Sequence, residues 1–288
     1  MASSAQDIGV ITSLIGLTDF ICSIPLGATL YLDLEGKNLS RNGTIAIMTI
    51  FVKPTEAIRL IDLQTLGSAA FTTPTVFGNT LKAILENPLM PKCLWDVRND
   101  ADALWAHYKV RLAGVTDIQL LENASRVGDK TYVRGLYTCV EKDLRLGFME
   151  LHRWVRTKRV VKARMAKDIF SRRPLDADTE KYCINNVLHL PALHDTYTKR
   201  TDKQWMKKAM DDSALRVAEA CSPEYEPQSE NKKLGPWGSG LGVKTISIDE
   251  WLQRYDEARM DALQEELYGY DDYDDFYDQG GFSSKDAA

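Results

Sequence analysis

Three strand-like runs fall within residues 29–63, and the links between them are too short to hold helical crossovers. "TLYLDLE" (Thr29–Glu35) comes first. "TIAIMTIFV" (Thr44–Val52) follows the turn-forming "GKNLSRNG", and "AIRLIDL" (Ala57–Leu63) follows Pro54. Parallel neighbours need a crossover of about a dozen residues or more, so this spacing predicts a three-stranded antiparallel meander.

After the meander the apolar period changes. "VFGNTLKAILEN" (Val76–Asn87) reads as a helix with Leu81, Ile84 and Leu85 on one face. "KCLWDV" (Lys92–Val97) reads as a strand, "NDADALWAHYKV" (Asn99–Val110) as a helix, and "GVTDIQLLE" as a short strand running into another helix. The order βββαβα predicts an α/β fold, a mixed five-stranded sheet flanked by helices. Residues 147–173 read as a long helix or helix pair ended by Pro174, and residues 178–199 as the next helix. "SPEYEPQSENKKLGPWGSGLG" has the composition of a linker, and a capping box at Ser247 opens a C-terminal helix. The acidic end reads as disordered. The expected organisation is a folded domain over 1–220, a linker over 221–246, a helix over 247–268 and a tail over 269–288.

Composition limits the chemistry. An apolar content of 44% suffices for a core. Cys22, Cys93, Cys139, Cys183 and Cys221 are odd in number and scattered, without a CxxC pair. That excludes a disulfide framework or zinc site and points to a reducing, intracellular compartment, cytoplasmic or nuclear. The first residues hold an apolar run with no basic start and Asp19 inside it. They read as an amphipathic helix, not as a leader or a membrane span. The net charge of −5 hides an asymmetry: acidic residues gather after Asp249, whereas residues 153–173 hold nine Arg and Lys against Asp168 alone. A basic stretch on the body allows a nucleic-acid partner that the overall acidity would argue against.

Three constellations carry chemistry. Asp33-Leu34-Glu35 ends the first run, and residues two apart in a strand share a face. Paired carboxylates repel when buried unless a cation sits between them, and hard oxygens suit Mg²⁺ or Mn²⁺. Alone, the pair also fits a strand that ends in solvent. "WDVRNDADAL" places Asp96, Asp100 and Asp102 at a strand-to-helix junction, where acids also cap free N–H groups. Asp100 is the favoured partner of Asp33, and Asp102 the second choice. Tyr182 and Asn186, four apart, share a helix face. Alone, they fit a core tyrosine and an ordinary polar residue.

In order, "LYLDLEG", "LWDVRNDADALWAHYKVRLAGVTDIQLLE" and "RRPLDADTEKYCINNVLHLPAL" resemble the three motifs of the DEDD superfamily of 3′–5′ exonucleases. The branch is the one with Tyr in its last motif, which includes ribonuclease D, the Werner syndrome exonuclease domain and the Egalitarian-like exonucleases. The resemblance spans residues 7–200. It implies a ribonuclease H-like fold and a metal-dependent 3′–5′ exonuclease acting on the 3′ end of single-stranded nucleic acid, RNA favoured over DNA, with two Mg²⁺ or Mn²⁺. Carried over, Asp33 would bridge both ions. Glu35 would bind the first and help place the attacking water, and Asp100 would hold the second. Tyr182 would orient the water, and position 186 would be the fourth carboxylate, a ligand of the first ion. Gly36 and the basic Arg153, Arg156, Lys158, Arg159 and Lys162 would line the path of the strand.

Asn186 departs from that pattern. It keeps the shape of Asp and one carbonyl oxygen but loses the charge. The expected consequence is weak binding of the first ion and slow turnover, with nucleic-acid binding retained. Two origins stay open: a substitution introduced into an active enzyme, which the intact remaining motif positions favour, or the native residue of a degenerate member. The second would make the chain a non-catalytic nucleic-acid-binding or scaffold module. His107, His152, His189 and His194 do not cluster in sequence and read as structural or surface residues. The basic stretch could double as a nuclear signal, and the acidic tail could bind a protein partner or compete with nucleic acid for the basic face. No membrane partner is expected.

Overall fold

The computed structural model describes residues 8–238. It opens with a strand, β1 (Ile8–Ile11), where the sequence predicts only helix. The helix α1 (Leu14–Ser23) begins later because Ser13 caps it, its Oγ accepting the Gly16 N–H at 3.2 Å. The short β-branched run ahead of that cap pairs in parallel with the meander's outer strand. The sheet therefore has six strands, not five.

The meander itself forms as read, from β2 (Thr29–Glu35), β3 (Ile47–Lys53) and β4 (Ala57–Asp62), antiparallel throughout. The short helices α2 (Leu63–Leu66) and α3 (Ala69–Thr72) follow. Helix α4 (Leu81–Glu86) starts only after its cap, Thr80, so the predicted helix from Val76 loses its first turn. Strand β5 (Lys92–Leu94), helix α5 (Arg98–Tyr108), strand β6 (Val115–Asp117) and helix α6 (Ile118–Ser125) come next. Both new strands run parallel to β2, giving the mixed order β1-β4-β3-β2-β5-β6. Then follow α7 (Leu136–Asp143), α8 (Phe148–Arg164), α9 (Ala177–Leu188), α10 (Leu190–Arg200) and α11 (Lys203–Ala220). The single helix expected over 178–199 breaks at His189, with Pro191 in the first turn of its successor.

The sheet is covered on both faces. Leu30, Leu32 and Leu34 pack with Leu17, Leu81, Leu85 and Leu104 on one side. Tyr31, Phe51, Ile58 and Cys93 pack with Leu121, Val161, Val187 and Leu193 on the other. Each fully buried aliphatic side chain contributes about 1.5–3 kcal/mol. Two layers of helix on a mixed sheet make the architecture α/β, as the element order implies.

Residues 221–238, expected as linker, lie against the domain. Arg41 donates to the carbonyls of Ala220, Ser222 and Pro223, Tyr225 and Lys232 both donate to the Asn99 side chain, and Gly235 N–H reaches Thr131 O. Trp237 donates to Asp212 and sits edge-on to Trp205. Composition marked the segment as polar, but its Tyr and Trp anchor it. The remainder of the linker, the helix over 247–268 and the tail lie outside the described residues. Among the described residues no helix is long and apolar enough to cross a membrane.

Candidate active site

Strand alternation puts Asp33 and Glu35 on the Tyr31 face of β2, and α9 crosses that face. The start of α9 is fixed by Asp176. Its carboxylate accepts the Thr179 N–H at 3.1 Å and the Thr179 hydroxyl at 2.9 Å, and pairs with Arg164 at 2.7 Å. Arg164 holds the Asp176 carboxyl down at about 2. With the start set, Asn186 meets the strand: its Nδ2 donates to Asp33 Oδ2 at 3.1 Å and to Glu35 Oε1 at 2.8 Å. The Asn186 Oδ1 is buried without a partner.

Asp100 enters from the first turn of α5, and its Oδ1 accepts the Leu34 N–H, between the two strand carboxylates, at 3.0 Å. Asp102, the second choice, is excluded by its own partner: fully buried, it pairs with Arg41 at 2.6 Å. Asp96 is likewise engaged, with Arg98 at 2.5 Å. Residues two apart on a helix do not face the same way, and here one acid turns to the strand and the other to an arginine.

The electrostatics separate these acids further. Burial pushes the Asp33 carboxyl up to about 6, opposed by the Asn186 hydrogen bond and the Lys158 charge. Glu35 is raised well above the usual range by burial, Asp33 and Asp100, and Asp100 is raised by burial, Asp33 and Asp96. Burial and the two strand carboxylates also raise the Tyr182 phenol, so it stays protonated and can donate. Asp96, paired with Arg98, is lowered instead.

Of the basic residues assigned to a nucleic-acid path, Lys158 is the one that turns inward. Its ammonium lies 4.8 Å from the Trp154 ring centroid and 5.8 Å from that of Tyr182. At about 100° per helical residue, Arg153 and Arg156 point roughly 140–160° away from Lys158, and both are exposed. Lys162, one turn on, is exposed on the nearer side. Gly36 has a structural cause: a Cβ there would stand 2.0 Å from Thr44 O, so the meander's own backbone demands glycine.

The signals the sequence hid are supports of the site. Asp117 accepts the N–H groups of Asp96 and Val97 at 3.0 and 3.1 Å and takes Arg216 from α11 at 2.6 Å, which fixes the turn into α5 and so the position of Asp100. Asp117 lies within the quoted second stretch, but its arginine partner is ninety-nine residues away. The histidines do not join the site: His194 Nδ1 lies 3.1 Å from Tyr31 Oη, His107 reaches Ser40 O, and His152 stacks on Phe148.

A divalent ion fits these residues in part. Asp33 and Glu35 supply hard oxygens, and turning the Asn186 amide over would present its unpartnered oxygen to the same place. Among the described residues, however, no group of three or more His, Cys, Asp or Glu converges on one ion position.

No family model matches the sequence, and no curated protein matches it. Among solved structures the chain is similar to ribonuclease D of Trypanosoma brucei, at 17% identity and a TM-score of 0.63 over 75% of this chain and 73% of that one. A second structure of that ribonuclease D, in complex with RNA U12, matches at 18% identity with a TM-score of 0.62, over 75% and 71%. Escherichia coli RNase D, described as an exoribonuclease involved in structured RNA processing, matches at 19% with a TM-score of 0.55; the chain covers 51% of it and 75% of itself is matched. Brucella melitensis NrnC with bound Mg²⁺ matches at 14% with a TM-score of 0.51, over 74% of this chain and 90% of that one. At these identities the likeness is one of fold, and the chain has the ribonuclease H-like α/β fold.

Proposed function

We propose that the chain binds the 3′ end of single-stranded nucleic acid, RNA in preference to DNA, and acts as a 3′–5′ exonuclease whose hydrolysis is depressed by the amide at position 186. The observation that carries this reading is the convergence of Asp33, Glu35, Asp100, Tyr182 and Asn186 from β2, α5 and α9. The bound RNA in a structurally similar ribonuclease D supports the choice of RNA.

Asp33, Glu35 and the turned-over Asn186 oxygen would hold one Mg²⁺ or Mn²⁺, with Asp33 and Asp100 toward a second. Such ions would neutralise the phosphate and activate water. The chain's own groups do the rest. Tyr182, protonated at neutral pH, donates to and orients the attacking water; it does not take its proton. The raised carboxyls of Asp33 and Glu35 leave a proton within the site to be displaced before full charge develops. Arg153, Arg156, Arg159 and Lys162 on α8 guide the backbone, and such contacts weaken with salt.

A non-catalytic binding module is the second reading, favoured by the two hydrogen bonds that tie Asn186 to both carboxylates. The exonuclease reading requires recognition of a 3′ terminus, which a non-catalytic binding or scaffold module does not. Fluorescence anisotropy with a linear single-stranded RNA and its circular counterpart tests this: the linear strand should bind more tightly, and Asp33→Ala or Tyr182→Ala should remove the difference. Equal affinity for linear and circular strands would rule out a 3′-end site.

A further inference from the structure

Helix α5 carries Asp100 in its first turn, yet no side chain caps its start, where Val97 stands at the cap position. Other parts of the chain hold that turn instead. Asp117 takes the N–H groups of Asp96 and Val97. The rest of the hold comes from the segment after α11. Asn99, the residue before Asp100, accepts at its Oδ1 from the Tyr225 hydroxyl at 2.8 Å and from Lys232 Nζ at 2.6 Å. Arg98, one residue earlier, donates to the Lys232 carbonyl at 2.9 Å. Arg41 pairs with Asp102 at 2.6 Å and donates to the carbonyls of Ala220, Ser222 and Pro223. Residues before and after Asp100 are thus tied to one stretch of chain.

That stretch is itself docked at its far end. Val133 N–H donates to Lys233 O at 3.0 Å, and Gly235 N–H donates to Thr131 O at 2.7 Å. A Cβ on Gly235 would stand 2.3 Å from Lys130 O, and one on Gly238 would stand 2.4 Å from Thr131 Cα. The two backbones meet where only glycine fits. Asp100 reaches β2 through the Leu34 N–H at 3.0 Å, and a tilt of its turn would carry the carboxylate off that contact.

We infer that residues 221–238 form a strap that sets the position of Asp100, with Asn99 as the positioning residue through which it acts. The inference rests on the reading of Asp100 as a position for the second ion. A carboxylate that meets an ion must be placed to within about 0.5 Å, and a helix start without a cap does not fix it so closely. The hydrogen bonds from the strap to the residues beside Asp100 supply that constraint.

The test uses the full chain and two variants. Asn99→Ala removes the acceptor of both bonds, leaves the charge unchanged and puts a good helix former in the turn. Gly235→Val forces the strap away from Lys130, three residues after Lys232, and touches neither Asn99 nor Asp100. Without ions, each should speed amide exchange in the first turn of α5, Ala101 N–H included, and leave α9 unchanged. In the Asn186→Asp background, with bound Mn²⁺ counted by electron paramagnetic resonance, each should weaken the second ion by roughly ten- to a hundredfold and spare the first. Should Gly235→Val not fold, Tyr225→Phe, which deletes one of the two donors, takes its place. Unchanged exchange in the α5 turn of either variant would overturn the strap. So would Mn²⁺ affinities equal to those of Asn186→Asp alone, or a loss shared equally by both ions. If Asn186→Asp alone takes up fewer than two Mn²⁺, the reading of Asp100 fails, and the exchange still decides whether the strap holds the turn.

Discussion

Two sets of buried and half-buried carboxylates in this one domain are held in opposite ways. At the turn into α5, Asp117 takes Arg216 at 2.6 Å, Asp96 takes Arg98, and Asp102 takes Arg41. At the end of β4, Asp62 takes Arg173 at 2.5 Å. Asp96 and Asp62 are held below the usual carboxylate range. A few residues away, Asp33, Glu35 and Asp100 have an amide, a backbone N–H and one ammonium for company, and all three are pushed up. Guanidinium-paired acids hold the fold together. Acids crowded together and half-buried or buried without guanidinium cost stability, and that cost marks a candidate functional site.

The largest expected effect breaks the first set. Arg216→Met strands the fully buried Asp117 carboxylate and should cost about 3–5 kcal/mol in urea unfolding. Asp33→Asn, in the second set, should leave stability unchanged or raise it, because it removes a like charge. Similar losses from both would dissolve the distinction. Next in size is Asn186→Asp in EDTA. It exchanges two hydrogen bonds for a fourth carboxylate, and unfolding should show a loss of about 1–3 kcal/mol that Mn²⁺ restores.

Asp176→Ala removes the cap of α9 and should cost about 1 kcal/mol. The same cap sets a pH dependence. Its folded carboxyl lies at about 2, below the ordinary 3.8, so the stability it adds is present above about pH 4 and fades as pH falls toward 2. Amide exchange in α9 should speed up across that window in the parent and not in Asp176→Ala. The smallest effects belong to the exposed arginines. Arg153→Ser and Arg156→Ser should shift stability by no more than about 0.5 kcal/mol. Each should instead flatten the salt dependence of RNA affinity by about 0.7 in the log–log slope. An unchanged slope would remove them from the nucleic-acid path.

Much of this was legible in local sequence, and the failures share a cause. The meander followed from turn spacing. Periodicities of two and four put Asp33 with Glu35 and Tyr182 with Asn186 on shared faces, but reading the four as one site came from the resemblance of the three motifs in order. The sequence already favours Asp100 over Asp102, and the fold adds a reason that sequence could not show: Arg41, which pairs with Asp102, lies sixty-one positions away. Lys158 read as one charge among five, since its inward turn depends on where α8 docks. Helix α11, with Arg216, gave no strong apolar stripe because it buries Ala209, Ser213 and Ala220 along with Arg216 and Val217. The segment after Cys221 reads as linker by composition, which says nothing of a Tyr or Trp that hydrogen-bonds to the domain.

The central claim is that the five residues converging on β2 are an exonuclease site limited by one missing carboxylate. The most direct measurement follows the shortening of a 5′-labelled single-stranded RNA with Mn²⁺, comparing the chain with Asn186→Asp and with Asn186→Asp combined with Asp33→Ala. The expected result is slow or absent trimming by the parent, a stepwise 3′ ladder from Asn186→Asp at least about tenfold faster, and none from the double variant. If Asn186→Asp trims no faster than the parent, or if the ladder survives Asp33→Ala, the account is wrong.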